Sequence, residues 1–209
     1  MSEPTLPMFP LGSVLFPFMP LQLRVFEERY LTMLSHILEL DPAEFGVVLI
    51  ERGQEVGGGE QRFSTGTVAQ IIELDTDEGF VTLVAVGERR VVVGEWLAED
   101  PYPAATVREL PELQWDAALE SLRDDAELVV RRTLALAAEY SLQQWPPDLV
   151  LSEDPVAAVW QLAGISPLGP IDQIALLRAE TAEQLLTDLI EFTIAAEEAL
   201  NITWPDEEV

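Results

Sequence analysis

Few side chains in this 209-residue sequence can do covalent or proton-transfer chemistry. There is no Lys and no Cys, all 11 basic residues are Arg, and His36 is the only histidine. Without Lys there is no Walker A lysine to reach ATP phosphates, no Ser-Lys dyad and no Schiff base. Without Cys there is no thiol nucleophile, disulfide or thiolate zinc site. A Ser-His-Asp triad could run only through His36, and no Gly-x-Ser-x-Gly elbow accompanies it, so a solvent-edge helix residue is the simpler reading. The sequence therefore predicts no catalytic residue, no resident metal and no cofactor.

The 38 Asp and Glu residues keep an all-carboxylate site open. Asp75-Thr76-Asp77-Glu78-Gly79 begins like a calcium loop, but strand-type residues resume at Phe80, so it reads as a solvated hairpin turn. Gly57-Gly58-Gly59 could cradle phosphate, yet Glu55 and Glu60 flank it and no Lys is near, which favours a flexible connection. The basic doublets Arg89-Arg90 and Arg131-Arg132 could each grip an anion bidentately, and Arg89 with Arg90 is the candidate ligand site. In so acidic a chain, ion pairs explain both doublets more simply.

Phe16-Pro17-Phe18-Met19-Pro20-Leu21 has two readings: it plugs the floor of a barrel, or it is an exposed apolar surface for polypeptides. Proline lowers the entropy lost on binding and methionine adapts to varied ligands. On the second reading the binding residues are Phe16, Phe18, Met19 and Leu21, with Met33 on the adjoining helix.

The elements that would position these residues follow from periodicity. Hydrophobic residues make up 48% of the chain, enough for a packed core despite a net charge of −27. Residues 6–10 form a short extended segment that Pro7 and Pro10 restrict to an edge or strand end. Residues 21–25 alternate as a half-buried strand, and 45–50 read as a strand buried on both faces. Residues 67–74 and 80–86 flank the acidic turn, 90–94 follow after a second turn at Gly87-Glu88-Arg89, and 105–110 add one more strand. A helix over 27–40 would bury Tyr30, Leu31, Leu34, Ile37 and Leu38.

Beyond about residue 110, apolar residues recur at helical spacing. Leu119, Ala126, Thr133 and Tyr140 stand at heptad intervals with Leu122, Val129 and Leu136 as a companion row. Asp154 and Pro155 start the next helix and Gly164 ends it. A third helix covers 170–179. A fourth opens with a Thr181/Gln184 capping box and runs Leu185, Leu189, Phe192 and Ala196 along one face. This divides the chain into 1–110 and 111–209.

The opening segment resembles a known family. Leu6-Pro-Met-Phe-Pro-Leu-Gly-Ser-Val-Leu-Phe-Pro-Phe-Met-Pro-Leu-Gln-Leu-Arg-Val-Phe-Glu-Glu-Arg-Tyr30 is similar to the N-terminal substrate-binding domain of Lon-type ATP-dependent proteases. Phe45-Gly46-Val47-Val48, Gly66-Thr67-Val68-Ala69 and Gly87-x-x-Arg90 continue the match in family order. The helical remainder is similar in pattern only. The resemblance implies an α+β fold: a PUA-like six-stranded pseudo-barrel with one helix, then a bundle of about four helices. It also implies recognition of unfolded or damaged polypeptides. Because the sequence stops at Val209 without Lys, the resemblance implies a stand-alone member lacking the ATPase and protease.

Three functions remain open. The first is a non-enzymatic polypeptide-binding module, working with a separate protease or chaperone. The second is a carboxylate enzyme using a divalent metal. The third is a small-ligand sensor built near Arg89 or Arg90. PUA-like barrels also bind RNA, but a chain this acidic repels phosphate backbones and anionic membranes alike. No apolar run approaches the ~20 residues of a membrane span, and MSEPTLPMFP lacks a basic region leading an apolar run. A cytoplasmic protein is expected.

Overall fold

The computed structural model describes residues 3–52, 61–139, 145–146 and 148–203. The Gly57–Gly59 loop, Tyr140, and the acidic tail at 206–208 lie outside them. The chain forms two compact units, Met1–Glu112 and Leu113–Val209.

The first unit holds six strands, β1 (Thr5–Leu11), β2 (Pro20–Val25), β3 (Glu44–Arg52), β4 (Gln61–Asp77), β5 (Phe80–Trp96) and β6 (Ala104–Glu109), and one helix, α1 (Glu28–Ile37). They form one sheet in the order β2-β5-β4-β3-β1-β6, and a further pairing of β5 with β6 closes five strands into a ring. Closure leaves the five ring strands without an open edge, and β2 stands outside the ring as the terminal strand. Met8, Val48, Val68, Val91, Val93, Ala105 and Val107, drawn from all five ring strands, pack together as one buried cluster. On the other side of β1, Phe9 stacks on Tyr30 of α1 with ring centroids 4.0 Å apart, and Phe45 lies 6.0 Å from Phe9.

β1 is internal rather than at an edge, despite Pro7 and Pro10. Its residues Thr5–Pro7 pair with β6 and Met8–Leu11 pair with β3, so no stretch of the strand is flanked by partners on both sides at once. That arrangement tolerates residues with no N–H to donate. β3 is buried over Phe45–Leu49 as its apolar run requires.

The region read as two strands and a turn is one 17-residue strand. β5 continues through Gly87-Glu88-Arg89, where the pairing register with β4 slips between Thr67/Arg90 and Ala69/Gly87. The polar residues mark a bulge, which spaces out one strand without ending it. The acidic hairpin turn is also tighter than expected. β4 runs on to Asp77, which pairs with Phe80, and Gly79 takes φ +85°, a conformation that glycine adopts without strain. α1 stops at Ile37, and Leu38 and Leu40 are exposed beyond it. Its buried face is Tyr30, Met33, Leu34 and Ile37.

Among the described residues the second unit carries four α-helices: α2 (Glu120–Glu139), α3 (Pro155–Ile165), α4 (Pro170–Leu177) and α5 (Ala182–Thr203). α2 packs along α5, α3 touches both, and α4 meets α3 and α5. The row completing the Ala126/Thr133 stripe on α2 is Val130 and Ala137, four residues on rather than three. Arg132 clamps Glu197 of α5 through Nε (2.9 Å) and Nη2 (2.6 Å), and Thr133 donates to the Val129 carbonyl beside it. On α5 the fully buried positions are Leu185, Leu186, Leu189 and Thr193, so Phe192 and Ala196 flank the face rather than centre it. Asp154 caps α3 by accepting from the Ala157 N–H (2.8 Å). Gly164 lies within α3, whose end is Ile165. Thr181 accepts from the Gln184 N–H (3.1 Å) while the Gln184 side chain accepts from the Glu180 N–H, a capping box shifted by one donor.

The core of the first unit is packed tightly enough that removing one ring should be felt throughout. Phe45→Ala is expected to lower its stability by about 3–5 kcal/mol, read as the urea midpoint of unfolding.

Candidate functional site

The segment between β1 and β2 is held by its backbone. Thr67 of β4 donates its hydroxyl to the Leu15 carbonyl (2.6 Å, buried). The Phe18 N–H donates to the Gly87 carbonyl (2.7 Å), and the Gly87 N–H donates to the Met19 carbonyl (2.9 Å). These bonds fasten residues 15–19 onto β4 and the β5 bulge. A Cβ at Gly87 would overlap the Phe16 carbonyl oxygen, so only glycine permits this approach.

The clamp sorts the apolar residues of the segment. Leu15, Phe16, Pro17 and Met19 are buried. Phe18 is turned outward, 43% exposed, at φ +61°. It is the single non-glycine residue with positive φ among those described, in a region that costs an L-residue roughly 1–2 kcal/mol. Leu21 is half-buried on β2. Met33 is wholly buried on the inner face of α1. Of the five residues singled out for polypeptide contact, Phe16, Met19 and Met33 thus belong to the core, because their side chains fill space between strands and helix. Phe18 and Leu21 keep exposed surface.

Around Leu21 the sheet carries more apolar surface. Leu21 pairs with Ala85, which pairs with Ile71, and Leu23 pairs with Leu83, which pairs with Leu74. Laterally paired residues share a face, so these six form two adjoining rows. Leu83 and Ala85 are buried, whereas Leu21, Leu23, Ile71 and Leu74 keep partial exposure. Ile72, at a second register slip in β4, is exposed, and so is Phe26 just after β2. Sequence reasoning passed over Phe26 and Ile72. Phe26 stands just before the helix expected over 27–40, and Ile72 falls within the strand expected over 67–74.

The arginine doublets are committed elsewhere. Arg89 grips Glu44 of β3 with two bonds of 2.8 Å and Glu109 of β6 at 2.6 Å. Hydrogen bonding to Glu44 raises its already high pKa further, against the opposing effect of partial burial. Arg90 is buried and donates to the Pro111 carbonyl (2.8 Å), and desolvation lowers its pKa. Arg131 pairs with Glu127 and donates to the Leu149 carbonyl. The pairing of Arg89 with two carboxylates gives that guanidinium a structural role tying β3, β5 and β6.

His36 is exposed and its Nδ1 lies 3.0 Å from the Tyr102 hydroxyl. Among the described residues no group of three or more His, Asp or Glu side chains could hold a metal ion. Among them too, no helix is long and apolar enough to cross a membrane.

The chain thus combines a six-stranded sheet, five strands of which close into a ring, with one helix, an apolar segment clamped to its long hairpin, and a following unit of helices. The family model for the ATP-dependent protease La (LON) substrate-binding domain matches residues 5–194, running across both units, and the chain belongs to that family. The catalytic domains of Lon proteases are separate from the matched domain and are not in these 209 residues. Two solved structures share the fold. The Lon N-terminal domain protein from Xanthomonas campestris superimposes with TM-score 0.63 at 24% identity, covering 90% of this chain and 98% of that one. The N-terminal domain of the Mycobacterium avium complex Lon protease gives TM-score 0.64 at 18% identity, covering 91% and 98%. No curated protein matches.

The backbone at Phe18 makes a specific demand on side-chain type. Phe18→Val, β-branched at positive φ, is expected to unfold more easily than Phe18→Gly, by about 1–2 kcal/mol in denaturant titrations. Gly87→Ala is expected to be worse than either, since it drives a methyl group into the clamp itself.

Proposed function

We propose that the chain is a polypeptide-binding module that takes up exposed apolar segments of unfolded or partly folded proteins, with Phe18 as its principal contact and Leu21 beside it. The observation that carries this reading is the outward ring of Phe18 at φ +61°. Backbone strain of this kind persists only where surrounding bonds over-determine it, and it clusters at functional positions. The partly exposed rows of β2, β5 and β4 extend the apolar surface, and the family's description as a substrate-binding domain agrees with such a use.

Hydrophobic contact supplies the affinity in this reading. The charge of −27 turns away acidic clients and nucleic acid and draws basic segments. The chain acts as an adaptor in the cytoplasm, holding clients for a separate protease or chaperone.

The test is fluorescence polarisation of a labelled, permanently unfolded polypeptide against the purified chain, with its folded counterpart and a single-stranded RNA alongside. Saturable binding of the unfolded chain alone is expected. Phe18→Ser should weaken it about tenfold or more, the size of an interface hot spot, with an unchanged melting temperature. Phe16→Ser should instead lower the melting temperature. Unfolded-chain binding that survives Phe18→Ser intact would overturn the assignment.

A further inference from the structure

We propose that the outer edge of β2 is a strand-addition site, at which an extended client segment pairs with the β2 backbone while its flanking side chains meet Phe18 and Phe26. The inference rests on the client-binding reading above and specifies the conformation and composition of the client.

β2 is the terminal strand of the sheet. Each residue from Pro20 to Val25 pairs with β5 on one side, and among the described residues no strand pairs with the other. An antiparallel strand turns alternate backbone groups to its two sides, so the outer edge offers a row of N–H and C=O groups to an incoming chain. Proteins ordinarily guard such edges with charges, prolines or a covering element. Here the guard is slight. Pro20 sits at the first position of the strand, and the guanidinium of Arg24 lies 3.7 Å over the Phe80 ring rather than standing out from the edge.

The two ends of the edge carry exposed aromatic rings, Phe18 at 43% and Phe26 at 57%. An extended chain from one to the other spans about 25 Å, the length of roughly eight client residues. Aromatic residues at both ends of an open strand edge are the reverse of a protected edge, and they supply anchors for side chains that the backbone pairing brings into register.

Charge identifies the occupant. A second copy of the chain would bring another net charge of −27 to the same edge, so self-pairing is opposed. The β4–β5 turn places exposed Asp75, Asp77 and Glu78 at the end of the sheet where β2 finishes, two strands away from Val25. The favoured client is therefore extended, free of proline, apolar at alternate positions and basic between them.

The test uses a labelled nine-residue peptide with phenylalanine at each end and arginine alternating with valine between. Two further versions carry N-methyl groups on the arginine amides or on the valine amides, and a fourth has glutamate in place of arginine. Strand addition requires that one methylated version lose about tenfold or more while the other stays within about twofold, because only alternate amides face β2. The glutamate peptide should bind at least about tenfold more weakly at low salt. Phe26→Ser should weaken the unmodified peptide several-fold without changing the melting temperature.

Equal tolerance of both methylated peptides, or equal loss, would overturn strand addition. So would an unbound peptide in a preparation that still captures the unfolded polypeptide, or a concentration-dependent dimer that competes with the peptide. If neither the peptide nor the unfolded polypeptide binds, the client-binding reading itself fails.

Discussion

The structure of the first unit turns on one discontinuity in β5. The strand must pair with β2 along Val81–Val86 and with β6 along Val91–Trp96, and it meets β4 from Phe80 to Val92. No straight strand serves a ring and a projecting sheet at once. The slip at Gly87 makes the change of direction, since a bulge bends its strand and deepens the local twist. The same slip exposes the Gly87 N–H and C=O to the chain between β1 and β2, which takes up both. Ring closure, hairpin projection and the placement of Phe18 are thus consequences of a single irregularity.

That irregularity also explains why neighbouring residues have opposite fates. Two backbone bonds around Gly87 and the Thr67 hydroxyl bond to Leu15 leave the segment no freedom to choose which side chains point inward. Phe16 and Met19 close the apolar interior, and Phe18 between them is left outside with its backbone strained. Burial and exposure within the segment are therefore not exclusive. They divide between residues by geometry.

Much of the fold was legible in the sequence because periodicity and capping chemistry are local. The half-buried alternation of β2, the buried run of β3, the Asp154-Pro155 start of α3 and the Thr181/Gln184 cap are each set by a few adjacent residues. What was not legible depends on distant partners. Gly87-Glu88-Arg89 has turn composition, and only the demand of β4 for a continuous neighbour makes it a bulge. Met33 has the same side chain on a surface as in a core, and α1 buries it because the helix faces β1. Arg89 looks like an anion receptor until β3 and β6 deliver Glu44 and Glu109 to it. Phe26 carried no local signal of exposure at all, since its place beyond the last β2–β5 pair is a matter of where that pairing stops.

The strain at Phe18 bears on selection of residue type as well as on geometry. Glycine would occupy the same backbone at no conformational cost, and asparagine at little. Either would satisfy both hydrogen bonds to Gly87, because those use only main-chain atoms. The ring is not needed to complete the interior, where Leu15, Phe16 and Met19 already lie. Phe18 is a large aromatic side chain at a position that disfavours it, with nearly half its surface in water and the rest covered by the chain. In the proposed client contact, the cost of about 1–2 kcal/mol is small beside what one well-placed aromatic contributes to an interface.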